Sequence, residues 1–576
     1  MPIEQNRVGP PAGAADAIEA LDGRSAYNRF GCSARIARPS RWRPVMFRLP
    51  QVLLVSLIAV GFAHAGPLGK NSLAPIKQDD WTRDAAAHLL RRAGFGGTPA
   101  EIERLYALGP RGAVDYLVDY QKIPYDLAPP KVDPAIYEPP DRRELRTLTE
   151  EERRKFFDER RKLDRAAFEE IRLWWIERMV ESPRPLEEKM TLFWHGHFTS
   201  GMREVRNALF MFEQNQFLRR NALGNFRELL LGIGRDRAML VYLDGNKNEK
   251  EHPNENYARE LMELFTLGVG NYTEKDVTEA ARAFTGWDYD RSGFRFRPGK
   301  HDFGKKQFLR KSGRFDGDDI VDIILEQRAA SRFLAKNLLE FFCRPEPDKA
   351  LVEALAREIR REKYELRPIM KKLLLSQAFY HPISRGCLVK SPVEIVIGTA
   401  RTLGVEIRDL PAANRAMIAM GQELMQPPNV KGWDGGAAWI NTATLFNRYN
   451  VVSAMIHGFG DRDARRSDEQ LNDEQASANR PMMMKMEPRS RRDRAPQPAY
   501  DVAGIVASQN LRTPEQIVDY FARHLLAVPL PDAKREKLVA YLSDTSGRKL
   551  GDDRRAELRL RQMVALMCST PEYQLH

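Results

Sequence analysis

The segment Asn254-Glu-Asn-Tyr-Ala-Arg-Glu-Leu-Met-Glu-Leu-Phe-Thr-Leu-Gly268 has the apolar spacing of an amphipathic α-helix. Successive residues of a helix are rotated by about 100°, which places Tyr257, Leu261, Leu264 and Gly268 on one face. We therefore predict that this face is buried and that the segment belongs to a helical core.

Polar side chains line one flank of the predicted helix, at Asn256, Glu260 and Glu263. Carboxylates at the edge of a core are costly to bury unless they pair with a cation or with each other. They indicate a hard-cation site or a general acid/base pair with separated pKa values. The alternative is a buried polar network that joins neighbouring helices.

Helical patterning continues on both sides of this segment, and strand signals are few. The predicted fold is mainly α, a large multi-helix, bundle-like body with at most a small β-hairpin, formed by Phe294–Phe296 and Gln307–Leu309. The helical core is predicted at 76–458, and a C-terminal helical module at 501–576 completes it. Residues 459–500 have almost no apolar residues apart from Met, which predicts a disordered insert.

The segment 46–65 has the order of a secretory signal peptide: Arg48, an apolar run, and small residues at Ala63 and Ala65. The run from Val52 to Phe62 has 11 residues, fewer than the roughly 20 that span a bilayer. We expect cleavage near Ala65, a periplasmic or secreted protein, and no transmembrane segment in the mature chain. Residues 1–45 are interpreted as upstream sequence that is not translated; the alternative is a basic leader that is made.

Charge and cysteine content narrow the function classes. The chain has 91 Lys and Arg against 79 Asp and Glu, with both signs interleaved, so nucleic-acid binding is disfavoured. Three cysteines follow the predicted cleavage site, Cys343, Cys387 and Cys568, and they allow at most one disulfide. The sequence contains no Walker loop, dinucleotide fingerprint, H-E-x-x-H helix or G-x-S-x-G elbow.

Two histidine motifs are candidates for chemistry. The side chains of His195 and His197 lie on the same side if the chain is extended there. With Asn256 and Glu260 they then form a candidate metal site. The alternative is that the two histidines cap helix carbonyls or lie in an aromatic core. His301 and Asp302 lie in a turn-rich loop and join Glu260 and Glu263 as candidate catalytic residues. Asp302 is equally expected to bond its own backbone in a turn.

Aromatic residues indicate a binding surface. Trp433, Trp439 and Asn441 lie in one glycine-rich loop, and Trp287 follows Thr285-Gly286. Flat aromatic rings beside amides suit stacking on sugar rings or aromatic ligands, or contact with a partner. The alternative is that the tryptophans anchor the loop to the helical body.

Seven sequence blocks, in order, resemble a bacterial family of exported proteins known as domain of unknown function 1800. The blocks are His88–Gly96, Phe193–Phe198, Asn254–Gly268, Ala283–Trp287, His301–Gly304, Lys390–Glu394, and Pro428–Trp433 with Trp439–Asn441. Members are often encoded beside an exported, sulfatase-like protein, so the resemblance implies such a partner. Many members carry His where this chain has Phe265.

Two functions from different classes follow from the sequence. The first is an interaction or assembly protein that works with an exported, sulfatase-like partner at the cell envelope. The second is a metal-dependent enzyme, with a divalent metal as its cofactor, that acts on an envelope polysaccharide or another polymeric substrate.

Overall fold

A computed structural model describes residues 72–138, 142–458, 500–543 and 554–576. The predicted upstream extension, the predicted signal segment and nearly all of the predicted insert lie outside the described residues. Helices dominate the described part, which confirms the mainly α fold class.

The described part contains twenty-four α-helices. They are α1 (Arg83–Arg92), α2 (Pro99–Ala107), α3 (Gly109–Val118), α4 (Arg142–Thr147), α5 (Glu150–Glu181), α6 (Pro185–His197), α7 (Met202–Val205), α8 (Ala208–Arg220), α9 (Phe226–Gly234), α10 (Arg237–Tyr242), α11 (Asn256–Glu260), α12 (Glu274–Ala283), α13 (Gly317–Glu326), α14 (Arg328–Phe342), α15 (Lys349–Arg361), α16 (Leu366–Leu375), α17 (Gln377–Tyr380), α18 (Pro392–Leu403), α19 (Leu410–Ala419), α20 (Thr442–His457), α21 (Val502–Ser508), α22 (Pro514–Leu525), α23 (Asp532–Ser543) and α24 (Arg554–Cys568). A π-helical segment, Leu261–Thr266, directly continues α11.

Two antiparallel hairpins interrupt the helices: β1 (Trp287–Asp290) with β2 (Gly293–Phe296), and β3 (Lys306–Phe308) with β4 (Lys311–Gly313). The prediction that Phe294–Phe296 pairs with Gln307–Leu309 is therefore wrong. Each segment pairs instead with its nearest neighbour in sequence, across a short turn, because a short loop costs less conformational entropy to close than a long one.

Apolar residues of the described part form two cores. The first is built mainly by α1, α3, α9 and α13–α17, and the second mainly by α5 and α18–α24. Helix α6 contributes to both, since Met190, Phe193 and Trp194 pack in the first core and Leu192 packs in the second. The position of α6 between the cores explains why nearly every side chain along it is buried.

A network of buried charges fixes α6 against its neighbours. The Glu188 carboxylate is fully buried and accepts hydrogen bonds from Arg178 Nε (2.6 Å), Arg219 Nε (2.8 Å), Arg219 Nη2 (3.0 Å) and Trp175 Nε1 (3.0 Å). Burial favours the protonated acid, but Arg219 and Arg178 outweigh it and hold the pKa of Glu188 below its ordinary value. We call these four residues the buried charge junction. It ties α5, α6 and α8 together.

Candidate functional site

The C-terminal end of α6 brings together three of the sequence blocks. His195 is 2% exposed, and its Nε2 accepts a hydrogen bond from the Met425 N–H at 3.0 Å. Its ring centroid lies 5.8 Å from that of Trp433 and 5.3 Å from that of Trp175. We call the loop that carries Trp433 and Trp439 the tryptophan loop. His195 therefore holds Met425, in the segment that leads into this loop, against the end of α6.

His197 contacts a different part of the chain. Its Nε2 lies 3.0 Å from the Phe265 carbonyl oxygen, so Nε2–H donates there, and Asn337 Nδ2 lies 3.5 Å from its Nδ1. The Phe265 ring is fully buried, 6.1 Å from the imidazole between centroids. Phe265 thus lies beside His197.

The chain is not extended at His195 and His197, because both residues belong to α6. Two residues of rotation in a helix turn the side chains about 200° apart, so the imidazoles point to different neighbours. Burial lowers the pKa of His195 to about 4, with a further contribution from Arg172, and burial also lowers the pKa of His197 to about 4. Both lowered pKa values favour neutral rings at pH 7, and each ring makes a hydrogen bond to the backbone of another segment.

The segment after α11 departs from α-helical geometry. Tyr257 and Leu261 are buried as predicted, but Leu264 is only partly buried and Gly268 lies beyond the helix with φ +78°. Leu264 still packs against the first core, so the predicted buried face is wrong only in including Gly268. A π-helix has more residues per turn than an α-helix. The π-helical segment that begins at Leu261 therefore changes the direction of the side chains that follow, and Met262 and Phe265 are buried in the core.

The acidic flank of this segment is partly engaged. Glu263 accepts a hydrogen bond from Tyr272 Oη at 2.8 Å, and the Asn256 side chain is exposed. Glu260 is half-buried, and within the described residues no hydrogen bond or ion pair reaches its carboxylate. Burial and the nearby Glu263 raise the pKa of Glu260. Arg259 forms its ion pairs with Glu255 and Glu274, and its charge offsets the rise in the pKa of Glu260 only in part.

The loop around His301 is held by internal contacts. His301 is 4% exposed, its Nδ1–H donates to the Thr285 carbonyl at 2.8 Å, and its ring lies against Phe296 and Phe303. Asp302 accepts from the Gly304 N–H (2.7 Å) and pairs with Arg282 Nε (2.7 Å). Asp302 thus bonds its own backbone in a turn, and the His301 side chain makes its hydrogen bonds to Thr285.

The tryptophans differ in environment. Trp287 is 5% exposed and packs on Phe284 and Tyr257, which places it in the first core. Trp439 is 8% exposed, and Trp433 is partly buried beside His195. Trp433 and Trp439 thus turn most of their ring surface away from solvent, and Trp287 belongs to the first core rather than to the loop.

A helix cap and a close backbone approach hold the loop of Trp433 and Trp439 in place. The Asn441 side chain caps α20 by accepting from the Thr444 N–H at 2.9 Å. Gly432 has φ +89°, and a Cβ there would lie 2.6 Å from the Gly196 carbonyl oxygen, so only glycine fits this approach to the end of α6.

The outer side of the loop and the adjoining helix ends contain two stretches of sequence without charge, bordered by the exposed residues Arg415 and Asp434. Residues 435–447 and 416–422 contain no Asp, Glu, Lys or Arg. Phe446 is 66% exposed and Ile418 is 39% exposed. Asn447 Nδ2 donates to the Ala419 carbonyl at 3.3 Å, which joins the start of α20 to the end of α19. We call Ile418, Ala419, Ala437, Ala438 and Phe446 the uncharged surface.

A groove of about 290 Å³ runs between α19 and α20, next to the uncharged surface. Its lining is largely apolar: Ile407, Asp409, Ala412, Ala413, Ala416, Asn447, Asn450, Val451, Ala454 and Met455. Sequence analysis singled out the tryptophans but missed Phe446 and Ile418. The available signal was the absence of charge over 435–447 in a chain of which 30% is charged.

The described residues can be compared with what metal sites, membrane spans and disulfides require. No three or more His, Cys, Asp and Glu side chains are grouped there so that they could hold a metal ion. Within the same residues, no helix combines the length and apolarity needed to cross a membrane. Cys343, Cys387 and Cys568 are buried free thiols.

These features define a mainly α-helical protein with two cores, an internally engaged set of polar motifs and an exposed uncharged surface. The family model described as "Protein of unknown function (DUF1800)" matches residues 88–575, and the chain belongs to this family. No curated protein and no solved structure matches the chain.

Proposed function

We propose that the protein is an exported interaction or assembly protein whose uncharged surface binds another protein of the cell envelope. The observation that carries this proposal is the exposure of Phe446 and Ile418 within two stretches of sequence that contain no charged residue. Aromatic side chains are enriched and charged residues are depleted at the centres of protein interfaces. The first partner to test is the exported, sulfatase-like protein that the family resemblance implies.

The polar motifs support the same proposal by what they already contact. His195 bonds the Met425 N–H, His197 bonds the Phe265 carbonyl, Asp302 pairs with Arg282, and Glu263 bonds Tyr272. Such contacts fix helices and loops in relation to one another. They fit a rigid scaffold that presents the tryptophan loop, with Trp433 and Trp439 as anchors beneath the contact surface.

The test is affinity capture of the tagged full chain from periplasmic extract, with the recovered sulfatase-like protein quantified by mass spectrometry. Phe446→Ser with Ile418→Ser is expected to lower recovery at least about 10-fold, since central interface residues each contribute roughly 1–2 kcal/mol or more. Phe157→Ser is the matched control, because Phe157 is a Phe of α5 that is also exposed, at 38%.

Equal recovery with the variant and the control would contradict the proposal. Export is tested separately by N-terminal sequencing of the purified protein. A start near Gly66 supports export, and an intact Met46 in a cytosolic fraction would refute it.

A metal-dependent enzyme acting on an envelope polysaccharide is the second candidate, and one observation favours it. Glu260 is a half-buried carboxylate without an ion pair or hydrogen bond in the described residues, beside Glu263. Elemental analysis of the purified protein tests this candidate. Stoichiometric metal that is lost in Glu260→Gln would support it, and a folded, metal-free protein would refute it.

A further inference from the structure

Residues 291–314 are strongly basic. They contain nine Lys and Arg residues against one acidic residue, Asp302, whereas the whole chain has 91 against 79. The segment includes β2, β3, β4 and the loops that join these strands. A local excess of this size creates a positive potential that attracts an anionic partner, even though both signs of charge are interleaved over most of the chain.

Only some of these basic side chains are paired within the protein. Four of them form ion pairs: Arg295 with Asp290, Arg297 with Asp288, Lys300 with Glu249, and Lys311 with Glu326. Four others are exposed, and within the described residues no hydrogen bond or ion pair reaches their side chains: Arg291, Lys305, Arg310 and Arg314. Unpaired cations at the surface remain available to an anion from outside the chain.

Three of the unpaired cations lie on the hairpin of β3 and β4. In this hairpin Lys306 is paired with Gly313. Lys305 and Arg314 are one residue further out on each strand, so they lie beside each other at the open end of the hairpin. Arg310 lies in the turn at the other end, about 10 Å away, because a strand rises about 3.3 Å per residue. The three charges are therefore concentrated on one small element.

Two exposed phenylalanines lie near this hairpin. Phe303 is 61% exposed and comes two residues before Lys305 in the sequence, and Phe296 is 39% exposed. Both rings contact the buried ring of His301, with Phe303 at 4.6 Å and Phe296 at 5.2 Å between centroids. A phenyl ring has no polar atom that gains from contact with water. Two such rings beside unpaired cations therefore indicate a contact surface.

The loop that presents Phe303 is fixed from two sides. The buried Lys306 donates through Nζ to the carbonyl oxygens of Asp302 (2.5 Å) and Gly304 (3.2 Å). The Asp302 carboxylate pairs with Arg282 of α12 at 2.7 Å. Because these contacts already order the loop, little further conformational freedom is lost when Phe303 contacts a partner.

An anionic phospholipid surface fits this combination of side chains. Lys and Arg side chains are attracted to the lipid phosphates, while aromatic and other apolar side chains enter the boundary between head groups and acyl chains. Nucleic acid fits less well, because DNA-binding proteins commonly contact roughly 6–10 phosphates along the backbone. The hairpin of β3 and β4 is only about 10 Å long, and among the described residues it supplies three unpaired cations.

We propose that Phe296, Phe303, Lys305, Arg310 and Arg314 bind the surface of a membrane that contains anionic phospholipids. We call these five residues the basic aromatic surface. It shares no residue with the uncharged surface, so the protein contacts lipid and a partner protein through different side chains. This inference goes beyond the proposed function and does not depend on it.

The experiment is co-sedimentation of the protein, purified from cells in its native form, with vesicles of phosphatidylethanolamine and phosphatidylglycerol. Vesicles of phosphatidylcholine alone are the uncharged reference, and the protein is expected to bind them at least about 10-fold more weakly. Lys305→Glu with Arg310→Glu and Arg314→Glu is expected to lower binding to the anionic vesicles at least about 10-fold, because each basic side chain near an anionic surface adds to the affinity. Phe303→Ser is expected to lower it roughly 3-fold or more, since the inserted ring is lost.

Matched variants separate a local effect from a change in net charge. Arg111→Glu with Arg165→Glu and Arg357→Glu removes the same amount of charge at exposed positions of three helices, where no ion pair within the described residues is broken. This variant is expected to keep native binding within about 2-fold, because salt screens charges that lie more than a Debye length from the membrane. Phe157→Ser is the control for Phe303→Ser, since Phe157 is also exposed. Thermal midpoints of all variants are measured alongside, so that loss of folding is recognised.

Three outcomes would overturn the inference. The first is equal binding of the anionic vesicles by the native protein and by the Lys305→Glu, Arg310→Glu, Arg314→Glu variant. The second is equal binding of the native protein to both kinds of vesicle. The third is that the native protein binds double-stranded DNA through these side chains and does not sediment with vesicles, in which case the surface recognises a soluble polyanion.

The same experiment keeps this inference separate from the proposed function. Phe446→Ser with Ile418→Ser is expected to sediment with the anionic vesicles as the native protein does. Loss of vesicle binding in that variant, with native binding in the charge-reversed variant, would assign the lipid contact to the uncharged surface and refute the inference. Failure of all vesicle binding would also refute it, and would leave the capture of a partner protein through the uncharged surface unaffected.

Discussion

The buried charge junction and the uncharged surface use polarity in opposite ways. At the junction, Glu188 is fully buried yet accepts four hydrogen bonds from Arg178, Arg219 and Trp175. At the uncharged surface, Phe446 is 66% exposed and no charged residue occurs over 435–447. Charges inside the molecule fix helices, whereas the absence of charge outside leaves apolar surface for a partner. The comparison teaches that a polar motif and a functional surface need not coincide in this protein.

The largest effect is expected from breaking the junction. Glu188→Gln removes the carboxylate that neutralises Arg178 and Arg219, and breaking a buried ion pair costs about 3–5 kcal/mol of unfolding free energy. Urea unfolding followed by circular dichroism measures the loss. Glu103→Gln is the control, because Glu103 pairs with Arg83 at the surface and such pairs contribute about 0–1 kcal/mol. Equal losses for the two variants would contradict the role given to the junction.

Buried neutral histidines give the next largest effect. Burial lowers the pKa of His195, His197 and His524 to about 4, below the unfolded value near 6.5. The folded state then binds fewer protons, so stability is fully present above pH 6.5 and is lost as the pH falls towards 4. The unfolding free energy is expected to fall by about 1–3 kcal/mol per histidine over this range. His195→Gln should flatten the pH profile, and an unchanged slope would be contrary to this account.

Asp236 is a buried carboxyl that, unlike Glu188, forms no ion pair within the described residues. Burial raises the pKa of Asp236 to about 7, and no ion pair reaches its carboxylate within the described residues. The folded state binds this proton more tightly than the unfolded state, so stability falls as the pH rises from about 4 to 7.

Replacing Asp236 with Asn tests this point. Asn keeps the oxygen that accepts from the Met239 N–H and from Gln214 Nε2. Asp236→Asn is therefore expected to be more stable than the native protein at pH 8, by on the order of 1 kcal/mol, and about equal at pH 5. Thermal unfolding at the two pH values measures the difference. A variant that is less stable at pH 8 would count against the burial argument.

The smallest effect on stability is expected at the uncharged surface. Phe446→Ser removes a largely exposed ring, and surface substitutions of this kind usually change the unfolding free energy by less than about 0.5 kcal/mol. Urea unfolding checks this value. If the unfolding free energy fell by more than about 2 kcal/mol, Phe446 would contribute to stability as a core residue does, and the contrast with Glu188 would disappear.

Local sequence rules predicted much of the fold and part of the site. Apolar periodicity predicted the mainly α class, and the blocks around His195, Phe265 and Trp433 do meet at the end of α6. The strand pairing was wrong because the nearer partner, Trp287–Asp290, was not recognised as a strand. The position of Gly268 was wrong because a π-helical turn changes the rotation per residue and the helix ends at Thr266, which a fixed angle cannot represent.

The candidate site was less predictable because it depends on orientation and exposure. The side chains of His195 and His197 point in different directions because α6 continues to His197. One extended residue between them would have placed both side chains on the same side. The exposure of Phe446 depends on how α20 packs against α19, which periodicity along one helix does not specify. Tertiary contacts, rather than residue type, decide which polar groups remain available.

The central claim is that the uncharged surface carries function while the polar motifs hold the scaffold. The most direct test is one affinity measurement of the captured partner for three folded proteins: the native chain, Phe446→Ser with Ile418→Ser, and His197→Asn. The account predicts at least about 10-fold weaker binding for the surface variant and native affinity, per folded molecule, for His197→Asn. Native affinity for the surface variant together with weakened binding for His197→Asn would contradict it.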